Sequence, residues 1–342
     1  MKRWGGFLLR RLLLVVVSLW ALVTIAFLLV SLLPSDPARA VAGEYATDEQ
    51  IAAISAELGL DQPLWARYGQ FLGELLTGSL GTDIYTGDPV AAEITDRLPS
   101  TLELIILGLA VATIVGLALG AVSAYYHRKW QDIFSGGVVA VLQSLPDFVI
   151  AVVCLYVFFH VLGWLPGPEG QLSITAVRPP TVTGMIIVDS LFAGQWDTFW
   201  DAVRHAVLPC LALGLALGAL FARVSRVALR EALESEQTRF ARACGLSEGS
   251  VLRYALLTAR TPILTYGAIM FASMVGGTAI IETVFNWNGV SQWSVQAMLT
   301  NNFPAIQGFI VVAGTITLFV YVFLDVLTGV LDPRIRLARV GR

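Results

Sequence analysis

Long apolar runs separated by short polar stretches set the pattern of this chain. A helix needs about 20 mostly apolar residues to cross a bilayer. Six runs approach or exceed that length: Leu12–Leu33, Leu104–Tyr126, Ile133–Leu162, Ala206–Ala222, Pro262–Phe285 and Ile306–Leu331. Pro146 lies inside the third and predicts a kink if that run is helical throughout. The fourth continues as a polar helix toward Glu231. The pattern predicts an all-α integral membrane protein with six transmembrane helices. It divides the chain into an N-terminal segment with the first span (1–33), a long loop (34–100), a membrane core (101–331) and a tail (332–342).

Composition agrees with the pattern. Hydrophobic residues make up 56% of the 342 positions and charged residues 14%, at a mean hydropathy of +0.73; a soluble domain is roughly a quarter charged. Basic residues then orient the helices, because cytoplasmic loops collect Lys and Arg. With the N-terminus inside, Met1–Arg11, His127–Asp132, Arg223–Arg260 and Asp332–Arg342 are cytoplasmic and hold 17 of the 22 Lys and Arg. Both termini are therefore expected in the cytoplasm, and Pro34–Ser100 becomes an outer loop. Lys2, Arg3, Arg10 and Arg11 resemble the start of a signal peptide, and Ala40-Val41-Ala42 resembles a cleavage site. The apolar run of 22 residues exceeds the ~7–15 of such peptides, so it is expected to remain as a span. Cys154 and Cys210 fall in apolar runs and Cys244 in a basic segment, which implies no disulfide framework.

Small residues recur every fourth position in three spans. They are Gly108, Ala112, Gly116, Gly120 and Ala124 in the second, Cys210, Gly214, Gly218 and Ala222 in the fourth, and Ala268, Ala272 and Gly276 in the fifth. That spacing puts each set on one ridge, where two backbones can approach closely. Helix packing accounts for the ridges more readily than a solute pathway does. The outer loop is acidic and partly structured: Thr47 and Gln50 fit a capping box, Ile51, Ile54 and Leu58 give an apolar stripe, and Gly59 ends the helix. It reads either as a platform for a soluble partner or as a lid on the membrane surface.

The polar stretch at about 232–260 breaks the pattern. Phe240, Ala243 and Cys244 share one face of a short helix, with Arg239 and Arg242 elsewhere on it. Gly245 suits the left-handed position that closes such a helix. Ser247 can cap the next helix, whose Val251, Leu252, Ala255, Leu256 and Ala259 recur at helical spacing, and Pro262 marks entry into the fifth span. A short helix set crosswise between two membrane helices is the expected result.

Here the chain resembles a family. Ala241-Arg242-Ala243-Cys244-Gly245-Leu246-Ser247 is similar to the EAA-type loop of bacterial ABC importer permeases of the dipeptide/oligopeptide/nickel group. Further landmarks follow in that family's order. They are Leu32-Leu33-Pro34-Ser35-Asp36-Pro37-Ala38, Glu57-Leu58-Gly59-Leu60-Asp61-Gln62-Pro63-Leu64 and Arg97-Leu98-Pro99-Ser100-Thr101-Leu102-Glu103-Leu104. Arg204-His205-Ala206-Val207-Leu208-Pro209, Glu282-Thr283-Val284-Phe285 and Leu331-Asp332-Pro333-Arg334-Ile335-Arg336 complete the set. The chain departs from the family at Cys244, where lysine is usual, at Glu236-Gln237, where the lead-in contains tyrosine, and at Asn288, where proline is usual.

The resemblance implies that the loop is a coupling helix seated in a cleft of a cytoplasmic ATP-hydrolysing subunit, through Arg239, Phe240, Ala241, Arg242, Ala243, Gly245 and Leu246. It also implies a second homologous permease subunit, two ATP-binding subunits carrying ATP and Mg, an extracytoplasmic solute-binding protein and a bacterial cytoplasmic membrane. Di- or oligopeptide is the expected solute, with nickel or another small solute as the alternative.

The residues leave little room for chemistry on this chain. A phosphate-binding loop needs lysine after a glycine-rich turn, and Lys2 and Lys129 stand in no such loop; the chain is not expected to be an enzyme. His127, His160 and His205 are far apart, and a metal needs converging ligands, so no metal site is expected. Glu103, Asp147, Glu282 and Asp325 lie toward span ends or beside a proline, where water is within reach. Glu282 and Asp325 can alternatively cap or cross-link helices. A stand-alone secondary transporter would call for inverted repeats and broken helices with polar groups at mid-membrane. A membrane hydrolase would call for a nucleophile and base, and no such pair stands out.

Overall fold

The computed structural model describes residues 2–32, 37–43, 45–57 and 59–331. The tail 332–342, Pro34–Asp36, Leu58 and the Asp325 side chain lie outside the described residues. The chain runs through α1 (Lys2–Ser31), α2 (Pro37–Ala42), α3 (Asp48–Glu57), α4 (Leu64–Leu76) and α5 (Val90–Tyr125). It continues through α6 (Trp130–Ser144), α7 (Asp147–Cys154) with a π-helical end at Leu155–Val161, α8 (Ile186–Phe192), α9 (Trp196–Glu234) and α10 (Glu236–Ala243). The last four are α11 (Glu248–Gly277), α12 (Ala279–Phe285), α13 (Val290–Leu299) and α14 (Phe303–Leu331). Among the described residues five helices are long and apolar enough to cross a membrane, and six if the bent pair α6–α7 counts as one span.

Two spans differ from their expected form. The third breaks at Leu145-Pro146, with a 104° bend between its halves; proline supplies no N–H and disfavours helical geometry before it. The fifth ends at Gly277, and Ala279–Phe285 is a separate short helix. Pro262 does not mark a helix start, since α11 runs unbroken from Glu248 to Gly277. Its buried face, Val251, Ala255, Ala259, Ile263 and Met270, continues through the proline, so packing outweighs one lost hydrogen bond. Pro99 and Pro209 are likewise internal to α5 and α9. At 36 and 39 residues, these helices are about 54 and 58 Å long at 1.5 Å per residue, well beyond the hydrocarbon core.

The chain divides into two compact units. One comprises residues up to Pro99 together with Asn288–Phe319. Thr47 and Gln50 form the expected capping box there, each side chain bonded to the other's backbone N–H. Gly59 takes the left-handed φ of 65° that ends the helix. α4 packs on α1, where Phe27 meets Tyr68 and Phe71 and the Thr24 and Tyr68 hydroxyls lie 2.7 Å apart. Val90 and Ile94 pack with Val290 and Phe309.

The other unit comprises Ser100–Trp287 and the residues from Val320 on. Its centre is the contact of α5 with α9. A methyl group at Gly116 would fall 2.6 Å from Phe221 Cβ and 2.9 Å from the Gly218 carbonyl; at Gly120 it would fall 2.7 Å from Ser225 Cβ. Gly214 in turn abuts Val111 and Ala112. The ridges of the second and fourth spans are therefore a packing seam. The ridge of the fifth is not one surface: Ala272 is buried, and nothing lies within 4 Å of the space a Gly276 side chain would take.

Buried polar groups tie the helix ends. Glu282 is fully buried and accepts hydrogen bonds from Thr101 Oγ1 at 2.7 Å and Thr278 Oγ1 at 3.0 Å. The Trp287 indole N–H donates to the Ser100 carbonyl, and Gln171 donates to the Trp287 carbonyl. Glu103 is also buried and accepts from the Ile187 N–H at 2.8 Å, at the start of α8. The expectation of water at Glu103 and Glu282 is corrected, and cross-linking is the right account of Glu282. Asp147 is exposed.

Overpacking a seam of this kind costs about 1–3 kcal/mol. Gly116→Val should lower the melting temperature of the detergent-solubilised protein. Gly136→Ala, at a helical position with nothing within 4 Å, should leave it unchanged or raise it.

Candidate functional site: the polar helix between two spans

The expected crosswise helix is α10, and each of its ends is capped. α9 stops at Ser235, whose extended backbone (φ −64°, ψ 152°) makes it the N-cap of α10, accepting from the Thr238 N–H at 3.4 Å. Thr238 is buried, and its hydroxyl donates to the Ala232 carbonyl at 2.7 Å. Ser235 Oγ donates to the same carbonyl at 2.7 Å. Two hydroxyls therefore latch α10 to the last turn of α9, on a carbonyl that also accepts from the Ser235 N–H at 3.3 Å.

The far end closes on Gly245 at φ +76°. The Leu246 N–H bonds to the Ala241 carbonyl at 3.2 Å and the Gly245 N–H to the Arg242 carbonyl at 3.0 Å. This 6→1 and 5→2 pairing is the Schellman termination that glycine permits. Ser247 then caps α11 by accepting from the Ser250 N–H.

The predicted site residues fall together on this one exposed element. Arg239, Phe240, Arg242, Ala243, Gly245 and Leu246 are exposed and Ala241 is half-buried. Phe240 keeps 71% of its surface open. Cys244 is an exposed free thiol beside it. Arg242 turns back to Glu248 at the start of α11, Nε to Oε1 3.3 Å, and the Tyr125 hydroxyl donates to the other Glu248 oxygen at 3.4 Å.

Sequence reasoning passed over four of the residues that build the element. Ser235 with Thr238 three positions on is a legible N-cap signal. Tyr125 and Glu248 meet across 123 positions, which no local pattern announces. Chemically the element offers an apolar ring and two guanidinium groups on a preformed, doubly capped helix. That suits insertion into a cleft of another protein more than contact with a small solute.

Fold and site together describe a multi-pass helical membrane protein with a rigid polar helix between two spans. Residues 116–337 match the family described as binding-protein-dependent transport system inner membrane component, and residues 5–105 match the N-terminal region of such membrane components. The chain belongs to this family and is a transport permease. It is 34% identical over 334 residues to the dipeptide transport system permease protein of Alkalihalophilus pseudofirmus, covering 97% of this chain and 99% of that one. Identity to the probable D,D-dipeptide transport system permease protein of Escherichia coli is 36%, covering 91% and 92%. Identity to the di/tripeptide transport system permease protein of Pseudomonas aeruginosa is 33%, covering 97% and 98%. A solved amino acid ABC transporter with histidines aligns at a TM-score of 0.47 and 15% identity, over 70% of this chain and 94% of that one.

A side chain with a Cβ at a left-handed position costs about 1–2 kcal/mol. A Cβ at Gly245 would meet no atom within 4 Å, so Gly245→Ala acts through the backbone. It should leave accumulation of the protein near wild type while lowering uptake by the assembled importer, measured in membrane vesicles.

Proposed function

We propose that this chain is a permease subunit of an ATP-driven ABC importer that carries di- and oligopeptides across the bacterial cytoplasmic membrane. The observation that carries the solute class is that three relatives, matched over 91% to 97% of this chain, are each named for peptides. The nickel reading is not favoured by those names. Two ATP-binding subunits supply hydrolysis and hold ATP with Mg, a second homologous permease completes the pathway, and an extracytoplasmic binding protein delivers the solute.

In this reading both termini and α10 face the cytoplasm, which the arginine distribution supports. The exposed Phe240 ring and the Arg239 and Arg242 guanidinium groups then fill a cleft of an ATPase subunit. Ala241, Ala243, Gly245 and Leu246 shape the helix and its closing turn. An interface anchored by one exposed aromatic side chain and flanking arginines matches how binding energy concentrates. The Schellman turn and the Ser235 cap prepay the ordering of the segment, so docking need not fold it.

The complete importer in proteoliposomes should take up labelled dipeptide only with ATP inside the compartment facing α10, and should ignore nickel. Removal of Arg239–Ser247 should abolish uptake and release the ATPase. Intact uptake with the ATPase still attached would sink the docking reading. Phe240→Ala alone should weaken ATPase co-purification by about 2 kcal/mol, the scale of an interface anchor. Orientation is read at Cys244, since Cys154 and Cys210 are buried. A membrane-impermeant maleimide should label Cys244 in inverted vesicles stripped of ATPase and leave it untouched in right-side-out ones.

A further inference from the structure

A second polar construction lies close to the coupling element, at the turn between α5 and α6. Asp132, in the first turn of α6, is buried, with 7% of its side chain exposed. Its Oδ1 accepts from Ser123 Oγ of α5 and lies 2.9 Å from Arg226 Nη2 of α9. Its Oδ2 accepts from the Arg128 N–H at 3.0 Å, faces His127 Nδ1 at 3.2 Å and receives Arg226 Nη2 again at 3.2 Å. Arg128 holds a left-handed φ of 62°, which an unbranched residue rarely adopts unless neighbours over-determine it. One carboxylate thus binds the ends of two helices and the turn between them.

Ser135 Oγ adds a bond to the Leu119 carbonyl, and Gln143 Nε2 one to the Ala219 carbonyl. α6 is therefore stitched to α5 and α9 along its length. From Arg226 the α9 helix runs eight residues, about 12 Å, to Glu234 and the Ser235 cap of α10. Thr238 locks α10 to that last turn. A displacement of α10 therefore moves the end of α9, and the Arg226–Asp132 pair is the polar link by which α9 grips the α5–α6 turn. The Arg242–Glu248–Tyr125 contacts reach the same end of α5 by a second route.

We propose that Asp132 is a positioning residue for energy coupling: its ion pair with Arg226 transmits the motion of α10 to α5 and α6. This rests on the docking role proposed for α10. The chemistry is mechanical, with no bond made or broken. A charged pair that also accepts two further hydrogen bonds holds one geometry, whereas an apolar contact would let α9 slide past the turn.

The test uses the whole importer with its ATPase and binding protein, comparing wild type, Asp132→Asn and Arg226→Lys. Peptide taken up per ATP hydrolysed is the readout, measured with ATPase subunits still bound. Asn keeps one acceptor oxygen for the Arg128 N–H and can donate its amide to the Ser123 hydroxyl, which is able to accept, but it loses the charge facing Arg226. Asp132→Asn should retain the ATPase and hydrolyse ATP while the ratio falls about fivefold or more, the scale of a modest coupling free energy. Arg226→Lys keeps the pair and should preserve most of the ratio. An unchanged ratio in Asp132→Asn, or uptake that falls only in step with the amount of protein, overturns the proposal. If Asp132→Asn does not accumulate, Arg226→Gln removes the charge from the other side of the same pair; a lowered ratio supports the proposal and an unchanged one overturns it. Failure of α10 docking would appear separately, as uptake and ATPase attachment that survive loss of Arg239–Ser247.

Discussion

The close approach of α5 and α9 is the constraint on which the larger unit depends. In a bilayer the hydrophobic effect does not drive helices together, because lipid tails are as apolar as leucine. Close packing must do much of that work, and a gap of roughly 0.5–1 Å forfeits about a quarter to a half of a dispersion contact. Gly108, Gly116 and Gly120 on one helix and Gly214 and Gly218 on the other remove the side chains that would hold the backbones apart. Leu213, Phe221 and Val111 then fill the space between them. The α11 face of Val251, Ala255, Ala259 and Ile263 joins Phe221 and Leu229 in one core.

Polar groups do the rest, at helix ends and breaks. Where helix geometry stops, backbone groups lose their partners, and side chains from distant segments replace them. Glu103 meets the Ile187 N–H, and Gln171 the Trp287 carbonyl. The same logic runs at the Ser235–Thr238 latch, where the Ala232 carbonyl gains two hydroxyl donors. A carboxylate such as Asp132 or Glu282 is kept in the interior only because several donors converge on it.

For a transport permease this division of labour has a consequence. Apolar seams hold the long spans against one another, while many of the hydrogen-bonded and ionic links cluster at helix ends and turns. α10 belongs to the second class: a preformed polar helix with a cap at one end and a glycine turn at the other. Its one large ring, Phe240, is turned outward.

Local patterns that act within a few residues were legible without coordinates. The spans, the Thr47–Gln50 capping box, the Gly245 turn with the Ser247 cap, and the small-residue ridges of α5 and α9 all follow from period, propensity and spacing. The family landmarks were legible as well. The 104° break at Pro146, the unbroken passage of α11 through Pro262 and the burial of Glu103 and Glu282 were decided only in three dimensions. A proline breaks or spares a helix according to what its neighbours pack against. A carboxylate is buried or wet according to whether Thr101 and Thr278, or an N–H from Ile187, arrive from elsewhere in the chain. Sequence alone determined which segments are apolar and long enough to cross a bilayer and where the polar helix stops, because those depend on neighbours a turn away. Tertiary structure decided which polar groups meet, because those partners lie tens to hundreds of residues apart.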